Sequence, residues 1–191
     1  MITDKKKLEK EAEISLNYYR SGNYAVAESR ARKLLKLNTQ YVFLYNILGL
    51  SLTKQKKFIE AIKIFRQGIA VKPNTAILHN NLGNALNAVG KTDEAYENYI
   101  KSIKINPKFS LAYNNLGNLL KDQNKFEDAI KNFNEAIKYQ TDFFVAYHNL
   151  ATVYQYLGKF DKAMQYYEKV KKINPGFYLA DRQLSSSIEY T

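Results

Sequence analysis

An all-α fold of tandem helix-turn-helix repeats is what this sequence predicts, and three observations lead there. Ala27, Ala61, Ala95, Ala129 and Ala163 recur every 34 residues without an insertion. A matching apolar-small pair precedes each of them: Ile14-Ser15, Leu48-Gly49, Leu82-Gly83, Leu116-Gly117 and Leu150-Ala151. Only 3 prolines and 8 glycines occur in 191 residues, too little turn material for an all-β chain. Self-similarity at this period is the mark of a repeat architecture.

One repeat, residues 110–143, shows how the pattern folds. Tyr113, Leu116, Gly117 and Leu120 share the i, i+3, i+4, i+7 spacing of a single apolar stripe, which predicts a first helix. Lys125-Phe126 mark a short turn, and Asn124 suits the left-handed conformation that closes a helix. Gly22, Gly90 and Gly158 stand in the same place elsewhere. A second helix then carries Ala129, Phe133 and Ala136 on its buried stripe. The small residues Gly117 and Ala129 allow the two axes to approach to roughly 8–10 Å. Acidic residues open the second helices (Asp93-Glu94, Glu127-Asp128, Asp161) and lysines close them (Lys104, Lys138, Lys171-Lys172), as the helix dipole favours.

The remaining repeats follow in register. Just before each alanine comes Tyr24, Phe58, Thr92, Phe126 or Phe160, and four residues after it Ala31, Phe65, Tyr99, Phe133 or Tyr167. Pro73, Pro107 and Pro175 close three repeats, with Thr39 and Thr141 in the equivalent places. The predicted organisation is a charged tail over 1–7, then repeats at 8–41, 42–75, 76–109, 110–143 and 144–177. Residues 178–191 are expected to form a capping helix or a sixth repeat cut short. A helical pair of this size cannot bury its stripe alone, so consecutive pairs are expected to stack into a solenoid.

At these residues the chain resembles the tetratricopeptide repeat family. The likeness is carried by the Leu-Gly pair, the recurring alanine, the aromatic four residues later and the closing proline. It runs from about Leu8 to Phe177. Tyr45, Tyr113 and Tyr147 stand where the family often has tryptophan, and His79 and Glu11 fit the pattern less well. The resemblance implies a right-handed superhelix whose first helices line a concave, peptide-binding groove.

If the first helices line such a groove, its candidate peptide-binding residues are those flanking each Leu-Gly pair. They are Asn46; Asn80, Asn81, Asn84 and Asn87; Asn114, Asn115, Asn118 and Lys121; and His148, Asn149, Thr152 and Gln155. Nine of the chain's 19 asparagines fall there. Asparagine costs a helix roughly 0.5 kcal/mol relative to alanine, so the concentration asks for an explanation. A carboxamide both donates and accepts, and a ladder of them could grip an extended backbone. Asn81, Asn115 and Asn149 resemble the asparagine ladder in the repeat arm of O-linked N-acetylglucosamine transferases. Two plainer explanations stand beside it: an overall bias toward Asn, Lys, Ile, Tyr and Phe, and the frequency of Asn before Leu-Gly in this family. Changing the three to alanine is expected to weaken binding while leaving the melting temperature nearly unaltered.

Nearer the N-terminus the same stripe turns apolar at Phe43, Ile47 and Leu50, with Leu16 and Tyr19 adjacent. These five are a candidate pocket for a peptide side chain, or else the seal between the first two repeats. The family's clamp for chaperone carboxylates needs basic groove residues where this chain has Asn80, Asn84, Leu111 and Asn115, which argues against that ligand.

Twenty-nine Lys and Arg against 18 Asp and Glu give a formal charge of +11. Its lysines (Lys57, Lys63, Lys101, Lys104, Lys131, Lys138, Lys162 and Lys169) fall on second helices and turns among acidic residues. A solvated face is expected there rather than a nucleic-acid site. There is no cysteine, and the two histidines, His79 and His148, lack metal partners at ligand spacing. No phosphate loop or nucleophile motif appears, so no enzyme and no cofactor is predicted. Nor does any stretch read as a secretory signal or a membrane span, and a cytoplasmic location is expected.

The expected function is therefore a scaffold that holds a protein or an extended peptide. The alternative is the substrate-recruiting arm of a larger glycosyltransferase or sulfotransferase. Self-association through the solenoid ends is a further expectation.

Overall fold

The computed structural model describes residues 5–177, and among them ten α-helices alternate with short turns. First helices are α1 (Lys5–Arg20), α3 (Val42–Lys54), α5 (Ala76–Asn87), α7 (Ser110–Asp122) and α9 (Phe144–Tyr156). Second helices are α2 (Tyr24–Leu37), α4 (Phe58–Val71), α6 (Thr92–Ile105), α8 (Phe126–Tyr139) and α10 (Phe160–Ile173). The ten helices thus fall into five consecutive pairs. Because α1 begins at Lys5, the predicted tail is helical over its last three residues. The capping helix expected at 178–191 lies outside the described residues.

The chain divides into two compact units, 1–105 and 106–191. In the first, each helix of α1 to α6 packs on its chain neighbour, and the first helices α1, α3 and α5 also touch in succession. In the second, α7 to α10 pack likewise, and α7 meets α9. This adjacency of alternate helices makes each unit a stack, with first helices on one side.

The five alanines that define the period are all fully buried. In each repeat the alanine N–H donates to the carbonyl four residues back (Asn23, Lys57, Lys91, Lys125 and Lys159), at 3.0–3.1 Å. The turn before each second helix is equally uniform. The N–H groups of Asn23, Lys57, Lys91, Lys125 and Lys159 reach back to the carbonyls of Tyr18, Leu52, Leu86, Leu120 and Tyr154, at 2.9–3.0 Å. That bond closes a helix through one left-handed residue. Gly22, Gly90 and Gly158 take that conformation, as does Asn124 at φ 58°. In the second repeat the position is filled by Lys56, at φ 60°, a conformation the sequence does not announce.

Helix-pair contact depends on the small residue after each leucine. A β-carbon on Gly83 would stand 2.6 Å from Tyr99 Cε1, and one on Gly117 would stand 2.6 Å from Phe133 Cε1. Gly49 lies in the same way against the Phe65 ring. Ala151 packs with Ala163 and Tyr167 in the last repeat, while the first has Ser15 and Ala31, both fully buried.

A polar side chain on each of α3, α5 and α7 fastens that helix to the segment before it. The Tyr45 hydroxyl donates to the Thr39 carbonyl at 3.1 Å, and the Tyr113 hydroxyl donates to that of Pro107 at 3.2 Å. His79 Nε2 donates to the Pro73 carbonyl at 2.9 Å, in the same register. The histidine that fits the sequence pattern less well therefore makes the bond its tyrosine counterparts make. On the second helices of the first unit, Arg32 pairs with Glu60 and Arg66 with Glu94, two identical struts one repeat apart.

Candidate functional site

The 13 predicted peptide-binding residues all lie on first helices, but they separate into two layers. Asn46, Asn80, Asn81 and Asn114 are nearly covered, at 9%, 3%, 7% and 4% exposure. Asn81 Nδ2 donates to Asn46 Oδ1 at 2.8 Å, and Asn80 Nδ2 to Asn81 Oδ1 at 3.1 Å. In the second unit Asn149 Nδ2 donates to Asn114 Oδ1 at 2.9 Å. Each of these inter-helix bonds spans 35 residues, so it joins one first helix to the next. A buried carboxamide without such a partner would cost about 1–3 kcal/mol, and the pairing removes that cost. These asparagines are rungs between repeats, and their bonding groups are largely spent on one another.

The second layer is open. Asn84 is exposed, and Asn87, Asn115, Asn118, Lys121, Asn149, Thr152 and Gln155 are partly exposed. Asn84 Oδ1 accepts from the Tyr99 hydroxyl at 2.8 Å, and Gln155 Oε1 from that of Tyr167 at 3.1 Å. Aromatics packed beneath Leu82-Gly83 and Leu150-Ala151 thus reach through to orient first-helix amides, leaving the Asn84 and Gln155 –NH2 groups outside those bonds. Burial raises the pKa of both phenols above its ordinary value of 10.0, so each remains a donor well above neutral pH. Thr152 Oγ1 donates to the His148 carbonyl at 3.0 Å, and Lys121 Nζ lies 3.6 Å from Asp122.

His148 stands where the earlier repeats have Asn46, Asn80 and Asn114. Its ring is wedged edge-on against Tyr167 and Phe177, with centroids 5.7 and 5.4 Å away. Nε2 is buried and makes no hydrogen bond among the described residues. Burial lowers the imidazole pKa, the nearby Lys121 charge lowers it further, and a hydrogen bond with Asn149 opposes both. The ring is therefore neutral at pH 7.

The apolar candidates do not form one exposed patch. Ile47 is fully buried, and Phe43 packs against the core of Leu8, Ala12, Leu34 and Leu44. Those two seal the first repeat against the second, while Leu16, Tyr19 and Leu50 are half-exposed. Tyr19 stacks obliquely on Tyr24, at 5.6 Å. The eight lysines expected to face solvent are all exposed.

Family models for tetratricopeptide repeats match residues 44–75, 83–123, 117–158 and 144–177, together more than half of the chain. The chain belongs to the tetratricopeptide repeat family. Among solved structures, this TPR chain is similar to a thermophilic TPR protein of Thermus thermophilus, at 18% identity and TM-score 0.83. That match covers 95% of this chain and 98% of the other. It is similar to PilW, a type IV pilus biogenesis factor, at 19% identity and TM-score 0.84, covering 97% and 88%. A third is YrrB, described as a TPR protein with an unusual peptide-binding site, at 18% identity and TM-score 0.65, covering 90% and 89%. No curated protein sequence matches the chain. Among the described residues of this TPR protein, no helix is long and apolar enough to cross a membrane.

One feature of the first-helix face escapes sequence reading. Every asparagine near a Leu-Gly pair looks alike in one dimension, so rungs and open amides are not distinguished. A signal was nonetheless present: the 35-residue interval between Asn46 and Asn81 recurs between Asn114 and Asn149.

Proposed function

We propose that this TPR chain is a scaffold that binds an extended peptide on its first-helix faces, through the open layer rather than the rungs. In the first unit the contacts come from Asn84 and Asn87. In the second they come from Asn118, Lys121, Thr152 and Gln155. The observation that carries this reading is the orientation of Asn84 by Tyr99: a buried phenol fixes the amide oxygen, so the –NH2 group is held in one direction before any ligand arrives. Preorganised donors of this kind bind a backbone carbonyl without losing side-chain entropy on association. Lys121 adds a cation to the second unit's face, which suits a peptide with a carboxylate near that point. The structural likeness to YrrB, titled as having a peptide-binding site, supports the same class of function.

The test is a peptide selected from a random library against the whole chain, then titrated into nitrogen-15-labelled protein. Side-chain amide resonances of Asn84 and Asn87 in the first unit, and of Asn118 and Gln155 in the second, are expected to move on saturating curves. A selected peptide that leaves all four unmoved would remove the reading.

A further inference from the structure

A second feature lies away from the first-helix face, on the outer side of the first unit. Between α2 and α4 opens a depression of about 540 Å³. Its floor is Leu35, Leu48 and Ile64, and its rim carries Arg32, Lys36 and Gln67. A second depression of about 520 Å³ continues over the far side of α4, past Ile59, Ile62 and Lys63 toward Lys91. The two share Gln67 and Ala70, so α4 is a low ridge between adjoining hollows.

The repeat supplies its own control for what α4 ought to look like. Where α4 has Ile64, Gln67 and Ala70, α6 has Asn98, Lys101 and Lys104. The same positions in α8 hold Asn132, Glu135 and Lys138, and in α10 Tyr166, Lys169 and Lys172. In α2 they are Arg30, Lys33 and Lys36, so long or polar side chains occupy this place in the other four second helices, and α4 alone clears it. In the last repeat Tyr166 packs on Tyr147, with Lys169 over the Tyr147 ring, so the equivalent space is filled from within. The first turn departs as well. Asp93, Glu127 and Asp161 are the counterparts of Ile59, which leaves 70% of its surface in water. Helix dipole and solvation both favour an acid at that place, so an exposed isoleucine there acts against local stability.

The charge around the hollows is positive in balance. Helix α2 carries Arg30, Arg32, Lys33 and Lys36 against Glu28, and α4 carries Lys63 and Arg66 against Glu60. Arg32 and Arg66 are engaged by Glu60 and Glu94. Lys36 and Lys63 are exposed and have no carboxylate partner among the described residues. An apolar floor bordered by available cations complements one chemistry: aliphatic side chains flanked by carboxylates.

We propose that the outer face of α2 and α4 is a second docking surface, and that it receives an acidic amphipathic helix of a partner protein. Aliphatic residues at i, i+3, i+4 and i+7 of that helix enter the two hollows on either side of Ala70, and its carboxylates meet Lys36 and Lys63. This surface is separate from the first-helix face and does not depend on the peptide reading given above.

The experiment uses the whole chain and a fluorescent synthetic helix with leucines at i, i+3, i+4 and i+7 flanked by glutamates. Its counterpart has lysine in place of every glutamate. The acidic helix is expected to bind and the basic one not, with backbone amide shifts centred on Leu35, Ile64 and Ala70. Ile59→Asp with Lys36→Glu should weaken binding about tenfold or more, as loss of one aliphatic anchor and one charge implies. Both positions are exposed and an acid suits the first turn of α4, so the thermal melt should not fall; Ala70→Tyr, which fills the hollow, gives the same test without changing charge. Four results would overturn the proposal: no binding of the acidic helix, equal binding of the basic one, unchanged affinity in the variants, or shifts centred on first helices. A concentration-dependent mass abolished by the double variant would also overturn it, since the occupant would then be a second copy of this chain. The variants leave Asn84 and Asn118 unaltered, so failure here is distinguishable from failure of the first-helix reading.

Discussion

Asn81 and Asn46, 35 positions apart in the chain, share a 2.8 Å hydrogen bond between two nearly covered carboxamides. The bond ties α5 to α3, and Asn149 and Asn114 repeat it between α9 and α7. Asparagine is a poor helix former, yet here it buys a specific inter-repeat contact that leucine cannot supply.

Asn81→Ala is accordingly expected to destabilise the protein by about 1–3 kcal/mol, because Asn46 loses its donor inside a covered site. Urea denaturation followed by circular dichroism measures it. Asn46→Ala should cost a similar amount, and the double variant clearly less than the sum, as for any pair in direct contact. Additive losses would mean that the two carboxamides act independently. The sequence-based expectation that Asn81 could be removed without a change in melting temperature is replaced by this one.

The contact of Gly117 with Phe133 leads to a packing prediction. A β-carbon 2.6 Å from the ring edge must displace either the ring or the helix. Gly117→Ala should cost about 1–3 kcal/mol, the usual range for overpacking. Phe133→Leu in the same chain should recover part of that loss, whereas Phe133→Leu alone should destabilise. Differential scanning calorimetry of the three variants decides it.

Lys56 holds φ at 60° in the turn position that glycine occupies in three other repeats. A left-handed lysine is strained by about 1 kcal/mol relative to glycine. Lys56→Gly is expected to raise the melting temperature, and Asn124→Gly to raise it less, since asparagine tolerates that conformation better. A fall in melting temperature on Lys56→Gly would show that the lysine side chain contributes something the backbone geometry does not reveal.

The buried phenols and Glu28 give the pH dependence opposite edges. Burial raises Tyr99 and Tyr167 above their ordinary value of 10.0, so the unfolded chain ionises first. Stability is then present below pH 10 and is lost as pH rises beyond it. Burial also pushes Glu28 upward, but hydrogen bonds from Lys57, Arg32 and Gln55 outweigh it and bring the carboxyl below its ordinary 4.5. Its contribution is present above pH 4.5 and is lost as pH falls through the lower, folded value. Melting temperature against pH should therefore bend downward at both ends. Tyr99→Phe, which resembles the native Phe65 and Phe133, should soften the alkaline bend, and Glu28→Gln the acid one.

Much of this fold can be read from the period alone, because the residues that set it answer to simple geometry. Ala27 and its four counterparts must be small where helices touch, and Phe58, Phe126 and Phe160 open second helices in the structure as their place before the alanine suggests. Lys56 was not legible, since nothing in lysine signals a positive φ and only the register reveals its role. His79 reads as a misfit because sequence comparison sees an imidazole in a tyrosine's place, not the shared bond to a closing carbonyl. On the candidate face, helical spacing puts the asparagines on the correct helices. Depth was the missing dimension: a carboxamide one residue before another can be covered while its neighbour remains in water. The hollow beside α4 stayed unseen for a related reason. It is made by what Ile64, Gln67 and Ala70 leave out, and absence of bulk shows only against the other repeats in three dimensions.

Binding by the open layer of the first helices is tested most directly by comparing two variants with one selected peptide. The first changes Asn87, Asn118 and Lys121 to alanine, all partly exposed and none bonded as a rung. The second changes the rung residue Asn46 alone. The expected result is at least about a tenfold loss of affinity in the first with an unaltered melt, and a lowered melt in the second with affinity largely kept. Undiminished affinity in the first variant, or peptide binding lost only when the rung is broken, would contradict it.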